Sequence, residues 1–463
     1  MTRRDLCLLA LGHLPLRAQP GDRPVYLSLA DARPILDSFA AELPAGLGSP
    51  PDFASWSMWQ AAHDKEIRAR LKRGDADSIV NLVLFGASFT AQRRLTARQM
   101  EKAGDDSEAI GKLILARIQD LASAVLHPGP NERLRFAAAW LNENGVDVSD
   151  PAADKAVLIK RIIVLLLENT RRVLREQNAY TRAIDAARSE RDTGSLFTVR
   201  SSLYRDRGVS LDTSFRPNFA IERSLAGIKA AGLMRQIRRA AVIGPGLDFT
   251  DKRSGYDFYP IQTLQPFALV DSLRRLRLAD TAGPSVDIVD ISRRVLDHVR
   301  LAVAQARRGS AYTVQIPLDR DTRWLPETTG YWMTFGSEIG GDAPPLTAPP
   351  GVEVRMRAVS IRTDVVKLLR PVDLNVVLQH VPLAEDRKLD IIVATNVMLY
   401  YPPFEQALAL RNIAGMLRKG GLLLSNNALP QIPGLQMRHV GATSAAYSED
   451  PDDGDNVLWY ARV

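Results

Sequence analysis

Residues 240–246 read Ala-Ala-Val-Ile-Gly-Pro-Gly, and this stretch decides the fold class. The apolar run predicts a short buried strand, and the glycines predict a tight turn at its carboxyl end. Because glycine has no Cβ, Gly244 and Gly246 let the backbone approach a ligand closely. In an open α/β sheet, ligands bind outside the carboxyl ends of the strands. The same turn could also be a plain connection, so the assignment depends on the rest of the chain.

A second apolar run at 286–290 ends in Asp290, and a helical pattern follows over 292–307. A carboxylate at the end of this strand can accept hydrogen bonds from both hydroxyls of a ribose. Its alternative role is to cap the helix that begins at Ser292. Asp290 lies 46 positions after Gly244, whereas a dinucleotide fingerprint places its acid about 20 residues along and contains a third glycine. The spacing therefore favours a nucleoside ligand without phosphates.

Strand and helix signals alternate through the rest of the second half. An apolar run at 389–394 precedes a helical pattern over 404–417, and another strand signal follows at 422–425. This alternation predicts a mostly parallel sheet with helices on both faces. The last strand, 457–463, is expected to pair with 436–440 as a hairpin at the sheet edge.

The first half is helical in character. Apolar residues repeat at helical spacing over 110–125, and 132–143 and 155–191 show the same amphipathic pattern. None of these helices carries residues that indicate chemistry. We therefore predict a signal-like segment or helix at 1–20, a helical domain at 21–204, and an α/β domain at 205–463 with an insertion around 313–350.

Composition excludes several classes of protein. Of 463 residues, 46% are hydrophobic and 24% charged, which is typical of a globular protein. No apolar run approaches the roughly 18 residues of a spanning helix, so stable membrane insertion is not expected.

A single cysteine and six scattered histidines do not predict a metal site. The net charge of +7 comes with 49 Arg and 11 Lys but no basic tract, so no nucleic-acid partner is expected. The sequence does not indicate an oligomeric state.

Two interpretations fit the N-terminus. Residues 2–18 resemble a signal peptide with a twin-arginine start at Arg3-Arg4. Against this, the apolar run is short, His13 interrupts it, and Leu16 is too large for the −3 position of a cleavage site. The alternative is a helix that packs on the body of the protein. We expect this second arrangement and a cytoplasmic location. In that case four leucines would be buried: Leu6, Leu8, Leu9 and Leu11.

Several short stretches follow one another in a fixed order along the second half. The most specific is Asn-Val-Met-Leu-Tyr-Tyr at 396–401, with a Lys-Gly-Gly turn at 419–421. The others are Asp-Thr-Ser-Phe-Arg at 212–216, Val-Asp-Ile-Ser at 289–292 and Ala-Arg-Arg-Gly-Ser-Ala-Tyr at 306–312. In order and approximate spacing they resemble the motifs of class I S-adenosyl-L-methionine (AdoMet) methyltransferases, most closely the chemotaxis receptor methyltransferases of the CheR type.

The resemblance implies AdoMet as cofactor and a Rossmann-like sheet, mostly parallel with an antiparallel C-terminal hairpin, preceded by an all-α domain. Three positions depart from the family pattern. The acidic cofactor-contacting stretch is absent, with Asp257 the nearest candidate, and Thr395 replaces an arginine. His380-Val381 replaces an Asn-Leu pair near the adenine. The expected cofactor-binding residues are Gly244, Pro245, Gly246, Asp290, Thr213, His380, Val381, Thr395 and Asn396, and the expected catalytic residues are Tyr400 and Arg216.

The resemblance also implies a carboxylate acceptor, on a small molecule or a protein. A carboxylate is ionised at neutral pH and needs no general base, so Tyr400 or Arg216 would only position it. An amine or phenol acceptor would need a base, for which His380 is the candidate. The acceptor is expected to approach between 205–216 and 320–336, where Arg205 and Arg207 would join Arg216 in binding an anion. The alternative function is a non-catalytic AdoMet- or nucleoside-binding module whose helical domain binds a partner protein.

Overall fold

The computed structural model of the chain describes residues 23–44, 46–48, 50–95, 107–189, 212–250, 256–320, 322–432, 434–450 and 453–463. The predictions for residues 1–20, for Arg205 and for Arg207 lie outside the described residues.

Helices account for most of the described first half and flank the strands of the second half. The described α-helices are α1 (Leu29–Ser38), α2 (Phe53–Phe85), α3 (Ser107–Ala124), α4 (Glu132–Glu143), α5 (Lys155–Ser189), α6 (Pro217–Ala230), α7 (Gln265–Arg275), α8 (Arg293–Arg307), α9 (Pro326–Thr334), α10 (Thr363–Val366) and α11 (Pro403–Met416). Among them, none combines the length and the apolar character that crossing a membrane requires.

The strands belong to three sheets. They are β1 (Val25–Tyr26), β2 (Arg239–Ile243), β3 (Ser285–Asp290), β4 (Tyr312–Asp319), β5 (Gly340–Ala343), β6 (Val354–Ile361), β7 (Leu369–Asp373), β8 (Gln379–His380), β9 (Leu389–Val393), β10 (Leu417–Ser425), β11 (Met437–Ala446) and β12 (Gly454–Arg462).

The central sheet has the order β11-β12-β10-β9-β2-β3-β7. Strands β10, β9, β2, β3 and β7 are parallel, and β12 runs antiparallel to both of its neighbours. Every residue of β9 is buried, as expected for a parallel strand covered on both faces. The predicted α/β fold and C-terminal hairpin are confirmed. The hairpin differs in one respect, because β12 inserts beside β10 and leaves β11 at the edge.

Helix α4 shows how local sequence sets the element boundaries. The side chain of Asn131 accepts hydrogen bonds from the backbone N–H groups of Arg133 and Leu134 and so caps the first turn. After the helix ends, Gly145 adopts a positive φ of 81°, which glycine tolerates without strain. The observed bounds of α4 are those that the sequence pattern predicts.

Helix α2, which the sequence analysis did not identify, joins the first half of the chain to the sheet. Asp52 and Ser55 form a capping box at its start. Trp56 and Ile67 of α2 lie in one hydrophobic core with Ile243 of β2 and Val289 of β3. The helical part therefore packs directly against the sheet.

The region of the expected insertion forms a small antiparallel sheet with the order β4-β6-β5, and α9 packs beside it. Tyr331 and Trp332 of α9 are both buried, and the indole N–H of Trp332 donates to the carbonyl of Ile316 at 3.1 Å. These aromatic residues pack the small sheet and α9 onto the α/β body.

Arg133 of α4 fastens the helical part to the loop that follows β2. It is 1% exposed, and its guanidinium donates to the carbonyls of Asp248, Phe249 and Tyr259. Because these carbonyls are buried, removing the donor leaves them without compensation for lost water.

We expect Arg133→Met to lower the free energy of unfolding by roughly 3 kcal/mol or more, because several buried carbonyls lose a charged donor. Urea unfolding followed by circular dichroism measures this change. Arg135→Met is the matched control, since Arg135 is exposed and donates to the carbonyl of Gly129. Equal losses in the two variants would contradict the role assigned to Arg133.

Candidate active site

The turn after β2 depends on its glycines. Gly244 and Gly246 have φ angles of 62° and 65°, in the left-handed region. The N–H of Gly244 donates to the carbonyl of Val289 at 2.8 Å, which ties the turn to β3. A Cβ on Gly244 would lie 2.7 Å from Cγ2 of Val397. Both the backbone conformation and the close approach to the 396–401 segment therefore require glycine at position 244.

A polar cleft of about 470 Å³ opens at the carboxyl edge of the sheet. It brings together three stretches that are far apart in the sequence: the turn after β2, the segment after β9 and the residues before α6. Predicted site residues in its walls are Thr213, Arg216, Gly244, Gly246, Thr395, Asn396 and Tyr400.

A smaller cavity of about 60 Å³ adjoins the cleft. Four residues line both spaces: Gly244, Gly246, Asn396 and Tyr400. The small cavity adds one carboxylate, from Asp290, and several apolar walls. The apolar residues include Leu71, Ile291, Leu374 and Val376. An apolar slot beside a carboxylate matches the chemistry of a nucleoside, because a base is flat and largely apolar on its faces and a ribose presents hydroxyls.

Asp290 lies just before α8 and in the wall of the small cavity. One carboxylate oxygen accepts a hydrogen bond from the N–H of Ser292 at 2.7 Å, at the start of α8. The residue also lines the small cavity. Burial raises the pKa of Asp290 to about 7, and the neighbouring carboxylate of Asp373 adds to that increase. The Asp290 carboxyl group is therefore poised to change charge near neutral pH.

The segment after β9 is held by a pair of amides. Asn396 has a φ of 58°, its N–H donates to Oδ1 of Asn426 at 2.8 Å, and its own Oδ1 accepts from Nδ2 of Asn426 at 2.5 Å. The hydroxyl of Thr395 accepts from Nε2 of Gln265 at 2.8 Å. Asn426 follows β10, so the amide pair fixes Asn396 between the ends of two strands.

Arg216 is engaged with the chain itself. It is 7% exposed, and its Nη1 lies 3.0 and 2.9 Å from the two carboxylate oxygens of Asp453. The guanidinium also lies over the rings of Trp324 and Tyr447. Instead of presenting a free fork to an anionic acceptor, Arg216 holds the β11–β12 hairpin at the rim of the cleft.

The structure places three expected residues away from the walls of both cavities. His380 belongs to β8, which pairs with β1, and its Nδ1 lies 3.1 Å from Oδ1 of Asn412 on α11. Burial lowers the pKa of His380. Val381 is buried in the hydrophobic core that α2 shares with β2 and β3. Pro245 is buried between Gly244 and Gly246. From this segment of the chain, Leu374 and Val376 line the small cavity in place of His380 and Val381.

Asp257, the candidate for the missing acidic stretch, instead fixes the chain after α2. Its carboxylate accepts from the N–H of Ala87 at 2.7 Å and from the hydroxyl of Ser88 at 2.5 Å. It is 1% exposed, and burial raises its pKa. Asp257 lines neither cavity.

Several residues that line or brace the two spaces lie outside the motifs described above. They come from elements that pack at the site only in three dimensions: Leu71 and Arg68 on α2, Gln265 at the start of α7, Leu374 and Val376 after β7, Asn426 after β10, and Tyr447, Asp453 and Asp455 around the C-terminal hairpin. Of these residues only Asn426 had a local sequence signal, because the dipeptide Asn426-Asn427 directly follows the apolar run of β10. Within the part of the chain that the structure describes, no cluster of His, Cys, Asp and Glu is suited to hold a metal ion.

The central sheet is Rossmann-like, mostly parallel, with the antiparallel final strand β12 between β10 and β11. No family model matches the chain, and no curated protein matches it. Solved structures similar to it include the N-methyltransferase NodS from Bradyrhizobium japonicum, at 10% identity over 52% of this chain and 93% of NodS, with a TM-score of 0.25. TrmN from Thermus thermophilus matches at 14% identity over 53% of this chain and 52% of TrmN, with a TM-score of 0.25.

A third similar structure is the magnesium protoporphyrin IX methyltransferase ChlM from Synechocystis, solved with bound SAM. It matches at 10% identity over 53% of this chain and 79% of ChlM, with a TM-score of 0.24. Because the identities and TM-scores are low, the fold class is assigned from the strand order of this chain. The bound SAM is a property of the ChlM structure.

We expect Gly244→Ala to destabilise the protein more than Gly232→Ala does. Both glycines have positive φ, which costs an alanine about 1–2 kcal/mol, but a Cβ at Gly232 meets nothing within 4 Å whereas one at Gly244 meets Val397. Urea unfolding gives the two free-energy changes. Adding Val397→Ala to Gly244→Ala should recover the excess. Equal losses in the two single variants would contradict the close contact with Val397.

Proposed function

We propose that this protein is an AdoMet-dependent methyltransferase that binds its cofactor across the two adjoining cavities. The observation that carries the proposal is that the small apolar cavity lined by Asp290 shares Gly244, Gly246, Asn396 and Tyr400 with the larger polar cleft. The adenine would lie between the apolar residues of the slot, and the ribose hydroxyls would bond to Asp290. The amino-acid part would then extend past the glycine turn towards Thr213 and Asn396.

AdoMet would supply a methyl group already activated by its sulfonium. The chain then needs only to align the acceptor with that methyl group and to keep water out. Asn396 is suited to a fixed role, because its amide is clamped by Asn426 at the junction of the two cavities. Thr395 is fixed in the same way by Gln265. Side chains held in this way along the cleft favour a single geometry for transfer.

For the acceptor we propose a carboxylate of a small molecule or protein, as the resemblance to chemotaxis receptor methyltransferases implies. A carboxylate needs no general base, and none of the described residues that line the two cavities is a histidine. Tyr400 lines both cavities and would position the acceptor. Arg216 would act through Asp453, by holding the hairpin at the rim.

The alternative is a non-catalytic binding module whose helical domain recognises a partner. It requires the helices to be a separate working surface, whereas α2 shares its core with β2 and β3 and contributes Leu71 to the apolar slot. This packing favours the enzyme. A cytoplasmic location, where AdoMet is available, belongs to the same proposal.

Asp290→Ala should weaken AdoMet and S-adenosylhomocysteine binding by about 10- to 100-fold, because hydrogen bonds to a charged group contribute about 1.5–3 kcal/mol. Isothermal titration calorimetry measures both affinities. Asp297→Ala, at an exposed position one turn into α8, is the control and should bind like the wild type. Unchanged affinity in folded Asp290→Ala would leave Asp290 with its capping role alone. Failure of the wild type to bind either ligand would reject the proposed function.

Tyr400→Phe should keep AdoMet affinity within about twofold and lose most single-turnover methylation, because its hydroxyl would act on the acceptor and not on the cofactor. The assay uses methyl-labelled AdoMet with a panel of carboxylic acids and carboxylate-bearing peptides. Methyl esters release volatile methanol in base, whereas methylated amines do not. Loss of cofactor affinity in proportion to rate would make Tyr400 a cofactor residue and remove the main support for a carboxylate acceptor.

A further inference from the structure

Arg68 of helix α2 contacts the ends of β3 and β7, next to residues that line the small cavity. Its Nη1 lies 2.8 Å from Oδ1 of Asp373, which ends β7, and 3.4 Å from the carbonyl of Ile291, which follows β3. The two strands are adjacent and parallel. One guanidinium from the first half of the chain thus spans two strand ends of the second half.

A second set of contacts holds Arg68 in this position. Its Nε donates to Oδ1 of Asp64, one helical turn earlier, at 3.1 Å. Asp64 in turn accepts from Nδ2 of Asn375 at 2.8 Å and from the hydroxyl of Tyr26 at 3.2 Å. The guanidinium is therefore oriented by groups on three separate segments, as a residue with a defined position at a site requires.

The acid next to Arg68 faces the acid of the slot. Asp290 and Asp373 are register partners at the ends of β3 and β7, so two carboxylates stand side by side at one edge of the sheet. The Asp373 carboxylate makes ionisation of Asp290 less favourable, and the positive charge of Arg68 favours the ionised form of Asp290.

Other charged and titratable groups surround this pair. On the α11 side, Tyr401 is buried, its pKa is raised by that burial, and the Asp290 charge adds to the increase. Arg70 lies over the ring of Tyr401 at 5.9 Å and favours its ionised form. On α8, Arg294 faces Asp75 of α2 at 3.4 Å. Among these groups, Asp373 raises and Arg68 lowers the pKa of Asp290.

We propose that Arg68 is a positioning residue of the cofactor site, which neutralises Asp373 and braces the Ile291 carbonyl so that Asp290 meets the ribose as a carboxylate. This inference rests on the proposed function, since it assigns Asp290 to the ribose. It also gives the helical half a direct part in cofactor binding. Through Arg68, the affinity for an adenosine ligand depends on a residue more than 200 positions away in the sequence.

The test measures binding against pH with 5′-methylthioadenosine, which carries the adenosine part of the cofactor and no ionising amino-acid group. Calorimetry from pH 5.5 to 9 should show wild-type affinity falling about tenfold per pH unit below a midpoint near 7. Arg68→Gln should move the midpoint up by about half a unit or more. Its affinity should then fall about twofold or more at pH 7 and approach the wild-type value at pH 9.

Three further variants and one control separate the effect of charge from that of packing. Asp373→Asn should move the midpoint down, and the double variant should return it towards the wild type, because the charge that Arg68 neutralises is gone. Arg68→Lys keeps the charge without the fork and should stay near the wild-type midpoint. Lys65→Gln, at an exposed position of α2, controls for general loss of positive charge. Weaker binding of Arg68→Gln at every pH with an unchanged midpoint would mean a structural role only and would overturn the inference.

A ligand-free measurement distinguishes this failure from failure of the proposed function. Carboxyl carbon-13 NMR of labelled aspartates, with Asp290→Asn for assignment, follows the ionisation of Asp290 directly. A higher midpoint in Arg68→Gln supports the charge effect even if no adenosine ligand binds, in which case the proposed function alone is rejected. An unchanged Asp290 midpoint overturns the role of Arg68 whether or not the wild type binds the probe.

Discussion

The parallel pairing of β2 with β3 on one side and β9 on the other is the constraint on which the candidate site depends. In parallel strands all carboxyl ends meet at one edge, so the turns after the three strands converge. That convergence brings Gly244, Asp290 and Asn396 to the walls of one slot. The hydrogen bond from the N–H of Gly244 to the carbonyl of Val289 extends the pairing into the turn itself.

The first half of the chain completes this edge. Arg133 binds the carbonyls of the loop after β2, and α2 lies across the ends of β3 and β7 through Arg68. A buried guanidinium that bonds to backbone carbonyls fixes loops more firmly than apolar contact does, because each lost bond leaves a desolvated acceptor. Helix α2 thus contributes to the wall of the site through Leu71.

The ionisation of Asp290 depends on opposing effects of its neighbours. Burial and a neighbouring acid disfavour its charged form, while a backbone N–H and the Arg68 guanidinium favour it. This balance brings the pKa of Asp290 to about 7. In the proposed function, ligand binding at the small cavity and the packing of α2 are coupled through the same carboxylate.

By itself, the sequence determined the sheet and much of the site. Apolar runs located β2, β3 and β9, and asparagine followed by glycine bounded α4, because these signals act through local backbone preferences. It also indicated Gly244, Gly246, Asp290, Asn396 and Tyr400, which do line the cavities. Only the tertiary structure decided the rest. Arg216 meets Asp453, Asn396 meets Asn426, and Leu374 lines the slot from which His380 is absent, because packing of distant segments sets these neighbours and no local pattern encodes them.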